Sequence, residues 1–284
     1  MTSSPEFRID LNDRETVSAY DELPLWSSMF GLLLLKHLPL RRHATVLDVG
    51  CGTGFPLLEL AGRLGSTCRV HGIDPWGEAL KRARLKARLR QVRGVGLCQG
   101  DAAALPFPDG QFDLVVSNLG INNFSDPEAA IRECRRVLRR GARLALTTNL
   151  QGHMEEFYAV FESTLLEMGL PEAITALRAH IRHRATVEGL AALFERTGLR
   201  VSEVREEKGS MRFLDGSALL EHYFIRLGFL DGWKAVLRPE EQERALSRLE
   251  ANLNVFSESR GELALTIPMA YVEAVRMEGS RVES

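Results

Sequence analysis

The chain has 284 residues, of which 45% are hydrophobic, and this is enough to bury one large core. Its net charge of −2 and isoelectric point of about 6.4 argue against a general nucleic-acid binder. No stretch stays apolar for the roughly 18 residues that a membrane-spanning helix needs, which argues against a span.

The N-terminal stretch contains acids and has no apolar signal core, so we expect no export. The cysteines are scattered and form no C-x-x-C pair, which predicts reduced thiols, a cytoplasmic protein and no metal site. They are Cys51, Cys68, Cys98 and Cys134.

The first predicted segment, residues 1–44, is an N-terminal helical cap. Within it, Tyr20 to Trp26 precede a helix that leads into the first strand. A short apolar run, Val46 to Val49, then predicts a buried strand, and it is interrupted by a single acid, Asp48. Three glycines follow within five positions, and they would let the backbone approach a ligand closely. The next helix is predicted to begin near Phe55, with Pro56 in its first turn.

Two further strands are each followed by an acid. Residues 70–73 form the second predicted strand, which ends at Asp74. Residues 95–98 form the third, and Gly100, Asp101 and Ala102 come after it. For either acid alone, a helix cap or turn residue is the favoured interpretation. Together with Asp48 behind a glycine loop, they favour a nucleotide-type ligand.

The spacing of the glycines indicates which ligand class. Gly50, Gly52 and Gly54 follow the pattern G-x-G-x-G, whereas dinucleotide-binding proteins use G-x-G-x-x-G. The pattern resembles motif I of the class I methyltransferases that use S-adenosylmethionine. This resemblance implies that the following residues bind the cofactor: Tyr20, Asp48, Gly50, Cys51, Gly52, Gly54, Asp74, Pro75, Asp101, Ala102 and Asn118. In particular, it implies that Asp74 accepts hydrogen bonds from both ribose hydroxyls.

The segment at 105–124 is similar to that of the ubiquinone- and menaquinone-biosynthesis methyltransferases, known as methyltransferase type 11. It contains a turn and a fourth predicted strand that ends at Asn118. The resemblance implies that residues 118–123 face the reacting methyl group. Many relatives have histidines there, whereas this chain has Asn122 and Asn123, which cannot act as general bases. We predict a positioning role for them, and ordinary loop structure is the alternative.

A helix capped by Asp126 is predicted to run to Arg140 and close at Gly141. The fifth strand is predicted at 143–148, and the last strand at 263–275. Between these two strands we predict three helices and a sixth strand, at 153–168, 171–184, 187–197 and 200–206. Residues 215–257 are then a mostly helical insertion between strands six and seven.

The insertion is rich in aromatic and apolar residues and could cover a hydrophobic acceptor, although ordinary core packing explains such residues equally well. Asn123, Tyr223 and Trp233 are the predicted substrate contacts. Asn122, His153 and His222 are the catalytic candidates, with a structural role as the alternative for each histidine.

The helix at 81–93 carries seven lysines or arginines and no acid. A solvated helix face is its simplest interpretation, and an RNA or anionic-partner surface is the alternative.

The predicted fold is α/β: a Rossmann-like, seven-stranded and mostly parallel sheet with an antiparallel last strand. Helices cover both faces, and the helical cap lies between strands six and seven. The domains expected are the N-terminal segment, a cofactor-binding core, the substrate cap and a tail, at 1–44, 45–214 with 258–276, 215–257 and 277–284.

The predicted function is transfer of a methyl group from S-adenosylmethionine, by in-line displacement, to a small-molecule acceptor. The product of the cofactor would be S-adenosylhomocysteine. The alternatives are an RNA-directed methyltransferase and an inactive cofactor-binding subunit. A monomer or homodimer is expected, without a membrane span.

Overall fold

The computed structural model of the chain describes residues 10, 12–22 and 25–277. Residues 1–9, 11, 23 and 24 of the predicted N-terminal segment, and all but the first residue of the predicted tail, lie outside the described residues. The described chain folds into two compact units. The first comprises the described parts of 1–148, 187–205 and 270–284, and the second comprises 149–186 and 206–269.

Seven strands form one sheet in the order β3-β2-β1-β4-β5-β7-β6, mostly parallel and antiparallel at its end. The predicted sheet is therefore confirmed. The strands are β1 Thr45–Val49, β2 Arg69–Asp74, β3 Val95–Gln99, β4 Phe112–Asn118, β5 Leu138–Asn149, β6 Leu199–Phe213 and β7 Leu263–Arg276.

Six of the described α-helices belong to the first unit. They are α1 Arg14–Glu22, α2 Leu25–His37, α3 Leu57–Leu64, α4 Gly77–Leu89, α5 Pro127–Val137 and α8 Val187–Arg196. The second unit contains α6 Glu155–Glu167, α7 Pro171–Arg182, α9 Gly216–Glu221, α10 Tyr223–Gly228, α11 Leu230–Lys234 and α12 Pro239–Glu258. Helices α9–α12 form the predicted insertion between β6 and β7.

The centre of the first unit is apolar on both sides of β1. Val46, Leu47 and Val49 are almost fully buried, as expected for a strand covered by helices on both faces. Leu47 lies opposite His71 of β2 and opposite Val115 of β4, with all three strands parallel. On α3, the buried residues are Leu57, Leu58, Leu60 and Ala61.

Two predicted boundaries were wrong. Helix α3 begins at Leu57, so Pro56 precedes the helix and does not lie in its first turn. Helix α5 ends at Val137, and Gly141 lies inside β5, where it does not close a helix. The pairing explains this: Leu138 faces Phe112 and Arg143 faces Leu114, so β5 bulges between these pairs. Gly141 has φ +73° in this bulge, a conformation that glycine adopts at little cost.

The second unit has its own core. Helix α12 packs against α6 and α9, and Asn252 donates to the hydroxyl of Thr164 over 2.9 Å. Gly216 is needed at the start of α9, since a Cβ there would lie 2.4 Å from Cβ of Leu253. The unit also contains residues 149–186, so it extends beyond the predicted cap at 215–257.

We predict that Asp126→Ala lowers the free energy of unfolding by about 1 kcal/mol, because the carboxylate caps α5. Its Oδ1 accepts the N–H of Ala129 over 2.9 Å, as the sequence predicts for a capping residue. Asp126→Asn is the matched control, since an amide oxygen caps almost equally well. Urea unfolding of the three proteins tests this, and equal losses in both variants would contradict a capping role.

Candidate functional site

The glycine loop after β1 turns with positive φ angles that disfavour other residues. Gly50 has φ +80° and Gly52 has φ +49°. The N–H of Gly50 donates to the carbonyl of Ile73 over 2.8 Å, which fastens the loop to β2. A Cβ added at Gly52 would meet no atom within 4 Å, so a ligand could approach the backbone at this position.

The loop follows β1, next to the point between β1 and β4 at which the order of the strands in the sheet reverses. Ligands of open parallel sheets bind at such a point. A Cβ on Gly50 would lie 3.3 Å from Cα of Gly120, in the loop after β4. A Cβ on Gly120 would lie 2.3 Å from Oγ of Ser117. Leu119, which directly precedes Gly120, has φ +62°, which is unusual for a residue with a branched side chain. The two loops are therefore packed backbone to backbone.

Asp48 is fully buried behind the glycine loop, and neither of its carboxylate oxygens has a hydrogen-bond partner among the described residues. Burial, followed by the nearby charge of Asp74, raises the pKa of Asp48 to about 8. A buried carboxylate without partners is costly, so this position fits a ligand that brings a positive charge.

Asp74, at the end of β2, accepts two backbone hydrogen bonds. Its Oδ2 accepts the N–H of Gly52 and its Oδ1 accepts that of Trp76, each over 2.8 Å. Burial outweighs these two bonds and raises the pKa of Asp74 above its usual value. Each carboxylate oxygen can accept more than one hydrogen bond, so Asp74 can still receive ligand hydroxyls.

Tyr20, on α1, lies beside Asp74. Its ring contacts Trp76 edge to face, with the centroids 5.3 Å apart, and it is 38% exposed. Burial, followed by the charges of Asp74 and Asp21, raises the pKa of the Tyr20 hydroxyl. The structure thus brings Tyr20, the glycine loop and both acids together, as the resemblance implies.

Asp21 is a residue that the sequence interpretation missed. It pairs with Arg82 over 2.7 Å and with Lys86, both on α4, and the Thr53 hydroxyl of the glycine loop also donates to it. Burial would raise the pKa of Asp21, but these hydrogen bonds outweigh burial and lower it. Asp21 therefore connects α1 to α4 and to the glycine loop. In the sequence, Asp21 is an acid far from the cation-rich helix, and nothing else there indicated that the two would pair.

The turn after β3 approaches β2 through its backbone. The N–H of Gly100 donates to the carbonyl of Asp74 over 3.2 Å, and Gln99 donates to the carbonyl of Pro75 over 2.9 Å. Asp101 is exposed and accepts the N–H of Ala103, as turn residues do, while Ala102 is buried. Their contact with the cofactor stays a prediction.

Two asparagines after β4 are held by threonines at the end of β5. Asn118 is buried; its Oδ1 accepts the Thr147 hydroxyl over 2.7 Å, and its Nδ2 donates to the carbonyl of Ser27 over 3.1 Å. Oδ1 of Asn122 accepts the Thr148 hydroxyl over 2.5 Å. The sequence interpretation missed these contacts of Thr147 and Thr148, although adjacent threonines at the carboxyl end of a parallel strand were a usable signal.

Asn123 ends the 3₁₀ turn Gly120–Asn123 and is exposed. Cys51 is buried next to Gly72 and has a raised pKa because of burial, so it fills space and does not act as a thiolate.

The two histidine candidates lie in the second unit. His153 is buried and stacks on Phe229 with centroids 5.5 Å apart. Burial, followed by the charges of Arg184 and His180, lowers the pKa of His153 to about 3. A group with this pKa is a weak base at neutral pH. His222 precedes α10 and contacts Phe213 edge to face.

Trp233 is fully buried within the second unit. Its ring stacks on Phe157 at 4.0 Å, and its Nε1 donates to the hydroxyl of Tyr158 over 3.2 Å. Ordinary core packing, the alternative to an acceptor contact, therefore explains Trp233. Its ring is fully buried and offers no surface to an acceptor. Tyr223, the first residue of α10, is half-buried.

The described part of the chain holds no group of three or more His, Cys, Asp or Glu side chains arranged to bind a metal ion. Among the helices of the described residues, none has the length and apolar character needed to cross a membrane.

A family described as "Methyltransferase domain" matches residues 47–146, the segment that holds the glycine loop, Asp74 and Asn118. Demethylmenaquinone methyltransferase of Lactiplantibacillus plantarum is 32% identical over 177 residues, which cover 58% of this chain and 74% of the relative. The corresponding enzyme of Listeria welshimeri is 33% identical over 129 residues, 45% of this chain. The match spans 55% of the length of that relative.

A third relative, 2-phytyl-1,4-naphthoquinone methyltransferase of Trichormus variabilis, is 32% identical over 133 residues, or 45% of this chain and 58% of the relative. Among solved structures, the YcgJ protein of Bacillus subtilis has a TM-score of 0.57 at 18% identity. The likeness covers 89% of this chain and all of that one, and it supports the fold alone.

The fold, the glycine loop and the acids behind it define a class I site for S-adenosylmethionine. The chain belongs to the class I S-adenosylmethionine-dependent methyltransferases, in the group related to the quinone-biosynthesis enzymes. The residues present fit this cofactor: an uncompensated buried carboxylate can face its ammonium group, and an open glycine backbone lies next to a carboxylate that can receive its ribose.

We predict that Asp48 makes the free protein less stable as the pH rises from about 4 to 8. Its pKa is about 8 in the fold and about 4 in the unfolded chain, so between these values the folded state binds more protons and stability falls with pH. Asp48→Asn removes this dependence. The difference in unfolding free energy, variant minus wild type, should therefore increase by up to about 1.4 kcal/mol per pH unit.

Urea unfolding at four pH values between 5 and 8 measures this difference, and comparison with wild type cancels the other titrating groups. Asp109→Asn, which changes an exposed acid, is the control and should show no trend. A constant difference for Asp48→Asn would contradict the raised pKa.

We further predict that Asp74→Ala weakens binding of S-adenosylmethionine at least about tenfold, because each hydrogen bond to a charged acceptor contributes about 1.5–3 kcal/mol. Asp109→Ala should leave the affinity unchanged, since its 74% exposed carboxylate pairs with Arg136 on α5. Calorimetric titration of both variants tests this, and equal affinities would remove Asp74 from the cofactor site.

Proposed function

We propose that this chain transfers the methyl group of S-adenosylmethionine to a small aromatic acceptor of the quinone type. The observation that carries the proposal is Asp48, buried with no hydrogen-bond partner in the described part of the chain, beside the glycine loop and Asp74 at the β1/β4 crevice. The acceptor class is supported by the relatives, which are named for demethylmenaquinone and 2-phytyl-1,4-naphthoquinone.

In this proposal, the cofactor supplies a methyl group that its sulfonium already activates. Asp74 accepts the ribose hydroxyls, and the charge of Asp48 faces the ammonium group. The backbone of Gly52 lies against the methionine half, which Tyr20 covers. These contacts place the methyl group near the loop after β4 and exclude water from it.

The asparagines after β4 orient the acceptor in this proposal. Thr147 and Thr148 fix the amide oxygens of Asn118 and Asn122, so the amides present a set geometry. Amides donate and accept hydrogen bonds but take up no proton near neutral pH. Positioning the acceptor about 3 Å from the methyl carbon, in line with the breaking bond, would lower the barrier without a base. Contacts of the acceptor with Asn123 and Tyr223 stay predictions.

The acceptor must be rich in electrons because a sulfonium methyl group is an electrophile. A quinone ring is poor in electrons, whereas its two-electron-reduced quinol is rich in them. We therefore propose the quinol as the form that reacts, with loss of one proton to solvent after the new bond forms.

The test is a transfer assay with methyl-labelled cofactor. An alkyl-substituted 1,4-naphthoquinone should take up label when a chemical reductant is present and take up little without it. An RNA transcript in a parallel reaction should stay unlabelled. Label in the RNA alone would establish the RNA-directed alternative, and cofactor binding without label in any acceptor would indicate a regulatory subunit.

Thr148→Val tests the positioning role in the same assay. Loss of one hydrogen bond of about 0.5–1.5 kcal/mol should lower turnover by roughly 2- to 13-fold with cofactor affinity unchanged. The matched control is Thr175→Val on α7, where an exposed hydroxyl bonds only a helix carbonyl, and turnover should not change. Equal turnover in both variants would exclude a role for the Thr148 to Asn122 contact.

A further inference from the structure

Positive charge is concentrated on one helix of the first unit and its C-terminal extension. The whole chain has a net charge of −2, yet residues 81–93 carry seven lysines or arginines and no acid. Such a local excess attracts anionic partners independently of the net charge.

Only part of this charge is neutralised within the fold. Arg82 and Lys86 pair with the buried Asp21, and Lys81 pairs with Glu78 over 2.5 Å. The guanidinium of Arg84 donates to a backbone carbonyl, that of Leu97. By contrast, the exposed side chains of three arginines form no ion pair with any described residue; they are Arg88, Arg90 and Arg93.

A groove of about 890 Å³ between α1 and α4 adds to this surface. Five cations and two acids line it, together with Val17, Ser18 and Leu85. The cations are Arg14, Lys81, Arg82, Arg84 and Arg88, and none of the lining residues is aromatic. Lys81, Arg84 and Arg88 share one face of α4, because residues three, four and seven positions apart lie on the same side of a helix.

An exposed leucine stands within the cationic end of this helix. Leu89, the last residue of α4, is 70% exposed and lies between Arg88 and Arg90. A large apolar side chain flanked by arginines is typical of segments that lie at a membrane interface, where the cations meet lipid phosphates and the apolar group enters the acyl boundary.

We propose that the basic surface along α4 and just beyond its C-terminal end, formed by Lys81, Arg84, Arg88, Leu89, Arg90 and Arg93, docks the protein on the anionic surface of a phospholipid bilayer. The charge of this surface complements lipid phosphates, and Leu89 supplies an apolar contact that a dissolved anion does not need. The contact is peripheral, since the described helices include no membrane span. It goes beyond methyl transfer and does not depend on it.

RNA is the competing partner for a basic surface, and the composition of this one disfavours it. Proteins that bind single-stranded RNA stack its bases on aromatic side chains, and the groove contains none. The naphthoquinone of one relative carries a phytyl chain, a long hydrocarbon that partitions into bilayers. Docking would place an enzyme with such an acceptor where the acceptor is dissolved.

The test is co-sedimentation of the full chain with vesicles of phosphatidylcholine alone and with one-quarter phosphatidylglycerol. Wild type should bind only the second kind, and high salt should weaken binding. Each cation near an anionic surface contributes a factor of about five, so Arg88→Glu/Arg90→Glu/Arg93→Glu should lower binding at least a hundredfold. Arg41→Glu/Arg42→Glu/Arg140→Glu, which changes the total charge equally at other exposed sites, should stay within about threefold.

Leu89→Ser separates a bilayer from other polyanions. It should lower vesicle binding about tenfold and leave binding of an RNA oligonucleotide unchanged. Circular dichroism and affinity for S-adenosylmethionine should match wild type in every variant, because these residues are exposed and lie outside the proposed cofactor site. Equal vesicle binding by the two triple variants, or RNA binding tighter than vesicle binding with no effect of Leu89→Ser, would overturn the proposal.

Discussion

The buried carboxylate of Asp48, close to that of Asp74, is the constraint on which the site depends. Two acids behind one loop repel each other, and burial prevents water from screening Asp48. The fold tolerates the arrangement because Asp74 receives two backbone N–H groups, whereas Asp48 receives none among the described residues. Burial without a partner therefore destabilises the ionised carboxylate of Asp48, and a positively charged ligand can compensate for this cost.

Much of the fold could be predicted, because periodicity and capping signals are local. The strands β1 to β4, the cap at Asp126 and the helices α6 to α8 lie within a few residues of the predicted positions. The bulge of β5 could not be predicted, since it is set by pairing with β4 across about 25 residues of sequence. A glycine at the end of a helix and a glycine in a bulge look alike in sequence.

The residues of the site also divide into those that the sequence could predict and those that it could not. The glycines and acids were recognisable because their spacing along the chain is fixed by strand, turn and helix. The contacts of Asp21 with α4, and of Thr148 with Asn122, join residues that are distant in sequence and follow no spacing rule. Trp233 shows the opposite case: an aromatic residue in a helical insertion is compatible with either a pocket or a core, and only its contacts with Phe157 and Tyr158 distinguish these.

The last strand has a consequence for how the protein is made. The described residues from 270 onward belong to the first unit, and among them Glu273 of β7 is buried. Its carboxylate pairs with Arg143 of β5 and accepts hydrogen bonds from the hydroxyls of Ser202 on β6 and Tyr271. While the chain is being synthesised, Arg143 lacks this partner until 130 further residues have been added. The first unit therefore cannot be completed until residues beyond 270 have left the ribosome, and a ribosome that stalls before residue 270 would release the unit incomplete.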